Sequence, residues 1–148
     1  MGLDTSHRCW HGAYSAFMRW REKLAELTGY PPLILMEGFY TKDNWNDVVK
    51  ILRDKGHDWV AGLLAAGLPI SWGLFNPDPL IILLRHSDCD GLIESKDCDP
   101  IADRLEELMP LLPKCEGVGH IGNWRDKTQA FIDGLREAAR LGENVDFH

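Results

Sequence analysis

Residues 124–141, WRDKTQAFIDGLREAARL, carry apolar side chains at helical spacing. Trp124, Thr128, Phe131, Ile132, Leu135 and Ala139 fall on one side of that helix, opposite a charged face. Asn123 stands where a cap is needed, and Gly142 where the chain must turn away. One helix with a single apolar stripe must bury it against something, and the flanking sequence supplies partners. Residues 100–112 predict a second helix, with Asp99 as N-cap and Ile101, Leu105, Leu108, Met109 and Leu112 on one face. Residues 13–27 predict another, with Tyr14, Phe17, Met18, Leu24 and Leu27 as its stripe and Gly29 then Pro31-Pro32 as its stop. A helix from Asn44 or Asn46 to about Ala66 would bury Val48, Ile51, Leu52, Trp59, Leu63 and Leu64, with a break near Gly56. A short helix is expected over 79–85, with Pro79 at its first position.

Between the helices lie shorter extended pieces. Thr5, His7, Cys9 and His11 alternate within 3–12 and would share one face of an extended segment. Residues 32–40 read as a loop or short strand, and 70–75 as a strand. Residues 144–148 read as a terminal strand whose expected partner is the early extended segment. The fold class is α+β: a mostly helical single domain, 1–148, with a small sheet of N-terminal, central and C-terminal short strands.

The chain has 148 residues, 45% of them hydrophobic and 26% charged, the balance of an ordinary globular protein. A net charge of −7 repels phosphate backbones, so general nucleic-acid binding is not expected. Four scattered cysteines do not make a disulfide framework. No basic region followed by an apolar stretch opens the sequence, and the apolar runs at 60–70 and 80–84 are too short to span a bilayer. A cytoplasmic protein with reduced thiols is the expectation.

Three segments carry residues suited to chemistry. The first is 86–97, HSDCDGLIESKD, which partly fits a calcium loop. Asp88 takes the third position, Asp90 the fifth, Gly91 the sixth and Asp97 the twelfth, but His86 holds the first. Imidazole suits a transition metal better than calcium, so His86, Asp88 and Asp90 are candidate ligands for a divalent transition metal. The competing reading is a tight turn built on Gly91. The second segment holds His7, Trp10 and His11. Fully extended, the two histidines would stand about 13 Å apart; one helical turn would make them a chelating pair. His7 and His11 are candidate acid–base residues, with His120 a third. The third segment, 117–125, is glycine-rich and precedes a helix N-terminus. There Asn123 and Arg125 would hold an anion, and Trp124 or Trp10 would stack on a flat ligand. Turn, cap and core roles compete with each of these.

The motifs Gly2-Leu3-Asp4-Thr5 with His7, Trp10 through Phe17, His86 through Gly91, Gly119 through Gly122 and Val145 through His148 resemble a family of small phage and bacterial proteins. That resemblance spans nearly the whole chain. It implies a phage or prophage provenance, a host-cytoplasmic location and an accessory role such as blocking or consuming a defence signal. Three functions follow as expectations. One is a metal-dependent phosphoester hydrolase acting on a small anionic, nucleotide-like molecule. Another is a binder that sequesters such a molecule. The last is a protein-interaction module whose polar motifs are structural turns.

Overall fold

The computed structural model describes residues 2–41, 50, 68–113 and 123–148. The helix expected within 44–66 lies largely outside them, as do His120 and the glycine segment 117–122. Four α-helices appear among the described residues: α1 (Tyr14–Thr28), α2 (Leu80–Leu84), α3 (Ser95–Leu108) and α4 (Trp124–Leu141). Four short strands accompany them: β1 (Gly2–Asp4), β2 (His11–Ala13), β3 (Leu92–Ile93) and β4 (Val145–Asp146).

α4 has the predicted bounds. The Asn123 side chain accepts the Arg125 and Asp126 N–H groups at 2.8 and 3.4 Å, and Gly142 ends the helix in the left-handed conformation. α1 ends the same way, at Gly29. α3 differs from its prediction at the start. It begins at Ser95, placing Pro100 inside the helix, where Asp99 is no longer a cap. Proline is favourable at the first position of a helix. Here it removes one N–H from the second turn, while Cys98, Ile101, Ala102, Leu105 and Leu108 still build a buried face. A 3-10 turn, Met109–Leu111, continues it.

The extended pieces also depart from expectation. Residues 3–12 do not run straight. They fold into an antiparallel hairpin pairing Gly2 with Ala13, Leu3 with Gly12 and Asp4 with His11. The reversal is a 3-10 turn, Ser6–Arg8, in which His7 and Arg8 both take φ of 58°. Thr5 closes it, accepting the Trp10 N–H on its hydroxyl at 2.8 Å and giving its own N–H to the Trp10 carbonyl. Segment 70–75 is not a strand. Ile70 makes a single parallel bridge with Met36, and Ser71 caps a 3-10 turn over Trp72–Leu74. Within 32–40 the chain forms a 3-10 turn, Leu33–Leu35, before that bridge. The terminal strand does reach the early segment: Asp4 and His148 exchange N–H···O bonds at 2.9 Å, and Thr5 bridges Phe147. Its other partner is β3, with Leu92 opposite Asp146 and Ile93 opposite Val145.

The result is the predicted α+β, mostly helical domain with short antiparallel strands from the N-terminal, central and C-terminal parts of the chain. α3 and α4 form the most extensive helix pair. An aromatic cluster joins α1, α4 and the strands: Trp10, Phe17, Trp20, Phe131 and Phe147, with successive ring centroids 5.0–5.9 Å apart. One buried polar relay crosses it, from the Trp20 indole to the Thr128 hydroxyl at 2.9 Å and on to the Trp124 carbonyl at 2.7 Å. Among the described residues no helix is long and apolar enough to cross a membrane.

Candidate functional site

The hairpin presents two faces because side chains alternate along its strands. Leu3 and Gly12 turn inward, where Leu3 is fully buried. Asp4 and His11 turn outward and are directly opposite. The Asp4 carboxylate hydrogen-bonds His11 Nδ1, leaving Nε2 to solvent.

His7 belongs to a separate network at the tip. Its Nδ1 meets the Ser6 hydroxyl at 2.8 Å, and its Nε2 meets Glu143 at 3.3 Å. Ser6 Oγ already accepts the Asp146 N–H at 2.8 Å. Its own proton is then free to go to Nδ1, which leaves Nε2–H to donate to Glu143. Each imidazole thus has its own carboxylate. The predicted pairing of His7 and His11 on one extended face, or as one helical turn, does not occur.

On the inward side the sequence reading missed a residue. Lys127, in the first turn of α4, lays its ammonium 4.8 Å from the Trp10 ring centroid and donates to the His11 carbonyl at 3.2 Å. A cation near a helix N-terminus opposes the macrodipole, and that was the available signal. Trp10 is almost fully buried, and its indole N–H has no acceptor among the described residues. Gly12 completes the arrangement: a Cβ there would stand 3.5 Å from Trp10 Nε1 and 3.8 Å from Lys127 Nζ. A buried donor and an ammonium therefore both lie within van der Waals reach of the one position where Gly12 carries no side chain.

The other predicted site residues hold the fold. Asn123 caps α4. Arg125 donates to the carbonyls of Leu112 at 3.0 Å and Pro110 at 3.4 Å, tying the end of α3's extension to the start of α4. Trp124 is buried, and the faces of Trp10 are occupied by Phe17, Trp20 and Lys127, so neither ring is open for stacking.

Segment 86–91 forms a turn. Gly91 takes φ of 90°, and Ser87, not the aspartates, accepts the N–H groups of Cys89 and Asp90. His86 sits within it against the Phe147 ring, centroids 4.0 Å apart. Its Nδ1 faces the Ser87 carbonyl at 2.7 Å and its Nε2 the Leu92 carbonyl at 3.0 Å. Carbonyls only accept and a neutral imidazole carries one N–H, so His86 donates to one of these oxygens at a time while both nitrogens face main chain. Among the described residues no three His, Cys, Asp or Glu side chains gather around one point as metal ligands.

Arg21 of α1 fixes that turn from below. Its fully buried guanidinium donates to the carbonyls of Leu84 and His86 and lies 4.5 Å from the Phe17 ring centroid. Burial lowers its pKa from 12.5 to about 10, with Asp88 acting the other way.

No protein-family model, curated protein or solved structure matches this chain.

Proposed function

We propose that the protein binds a small anionic molecule where the inward side of the N-terminal hairpin meets the first turn of α4. The observation that carries this reading is the buried Trp10 indole N–H, which lacks an acceptor among the described residues and lies, with the Lys127 ammonium, beside Gly12. A buried donor left unmade costs about 1–3 kcal/mol, which a ligand oxygen would recover. One of the three Lys127 donors is engaged by His11, leaving the others for the same oxygens. A phosphate or carboxylate group fits this pair, and the resemblance to phage proteins points to a nucleotide-like signal. In this reading the protein retains that signal.

The test follows the Trp10 indole N–H in proton–nitrogen spectra during titration with inorganic phosphate and with linear and cyclic nucleotides. The expected result is a saturable shift of that signal and at least about tenfold weaker binding in Lys127→Met. An unmoved indole signal, or equal affinity in the folded variant, overturns the reading.

The carboxylate-backed His11, with Nε2 left to solvent on the outward face, favours a second reading, acid–base chemistry on a molecule held at that outer face. A carboxylate that holds one imidazole nitrogen fixes the tautomer and strengthens the other as a base. Incubation with the same nucleotides separates the readings. Turnover abolished by His11→Ala establishes catalysis, and recovery of unaltered nucleotide rejects it.

A further inference from the structure

A cleft of about 260 Å³, formed by residues 28–30 and 75–78, opens where α1 ends and the chain approaches α2. It shares no residue with the hairpin rim. Two aromatic rings meet there nearly at right angles: Tyr30 and Phe75, centroids 5.2 Å apart and planes at 77°. Trp72 is packed edge-on to Tyr30 at 6.0 Å, and its indole donates to the Glu37 carbonyl. Both lining rings are only partly buried, so part of each remains available.

The cleft's surroundings are net negative, with one guanidinium, Arg104, set against two carboxylates and a helix C-terminus. α1 is fifteen residues long and has no basic residue in its last turn, so the negative end of its dipole at Thr28 and Gly29 is uncompensated within the helix. Across the cleft stands Asp78. One of its oxygens accepts the Leu80 N–H at 2.9 Å, and the other accepts Arg104 Nε at 3.1 Å. Arg104 also holds Glu107 at 2.7 Å. Two carboxylates share one guanidinium, so this cluster keeps one negative charge. Burial, and then the nearby Asp78 carboxylate, hold the Tyr30 phenol protonated above its ordinary range.

Two partly exposed, perpendicular aromatic rings beside a net negative wall are the elements of a site for a soft cation. An anion would meet the helix end and the carboxylates, and a neutral apolar group would gain nothing from either. We propose that this cleft binds a small organic cation bearing an alkylated ammonium group. The volume has room for a headgroup of choline size.

Calorimetric titration of the full chain with choline, at constant ionic strength, tests the proposal against 3,3-dimethylbutanol, the uncharged analogue of the same shape. Saturable choline binding is expected, at least about tenfold tighter than the neutral analogue. Phe75→Leu, which keeps apolar bulk and removes the π face, is expected to lose most of that preference. Absence of saturable binding by the wild-type protein overturns the proposal. So does equal affinity for the neutral analogue, or a folded Phe75→Leu protein that binds choline unchanged. The choline–analogue comparison uses only wild-type protein, so it decides the matter even where the variant does not fold.

Discussion

Gly134 shows how one missing methyl positions the hairpin tip. It lies within α4, where glycine is unfavourable, and a Cβ there would come 2.4 Å from Cys9 Sγ and 2.7 Å from the His7 carbonyl. The tip therefore rests directly on the helix backbone, and the left-handed His7 and Arg8 are held by that contact. Gly134→Ala is expected to destabilise the fold by about 1–3 kcal/mol, despite the higher helix propensity of alanine. Denaturant titration checks the sign, because propensity alone predicts the opposite one. A glycine inside an amphipathic pattern signals close approach of another backbone. What approaches was not legible, since the tip is more than a hundred residues away in the chain.

At the scale of elements, α4 was the most legible part of the molecule. Its stripe, its Asn123 cap and its Gly142 stop are all local, so its bounds follow from neighbouring residues. Asn123→Ala is expected to cost about 1 kcal/mol, read by thermal or denaturant unfolding. The start of α3 was misread because Pro100 has two local meanings, helix opener or interior defect. Packing against α4 and three acidic side chains gathered on Arg136 favour the second. The hairpin was illegible for a related reason. Histidine is enriched in left-handed backbone but arginine is not, and no glycine or asparagine marks the reversal at His7 and Arg8, so the turn carries only a weak local signature. The candidate site was half legible: Trp10 and His11 were singled out, whereas Asp4 and Lys127 entered only through pairing across the hairpin and docking of α4.

For the whole molecule, the buried thiols couple folding to pH. Burial pushes the Cys9 thiol from 9.0 up to about 12, and Cys98 up to about 11. A raised folded value means that the native state keeps its proton longer than the unfolded chain. The associated stability is complete below pH 9 and is lost as pH climbs toward 12. Between pH 8 and 10.5 the unfolding free energy of the wild-type protein is expected to fall more steeply than that of Cys9→Ala. Parallel profiles for the two proteins would refute this.

The sequence alone determined the helical stripes, two glycine stops, one cap and the expectation of short strands at the chain ends, because each depends on spacing within about twenty residues. Tertiary structure decided the rest. It bent the early segment into a hairpin and placed Lys127 beside Trp10. It turned both His86 nitrogens onto main-chain carbonyls and enclosed the cleft of Tyr30 and Phe75. Those outcomes depend on which remote surfaces exclude water together, and spacing along a chain does not encode that directly.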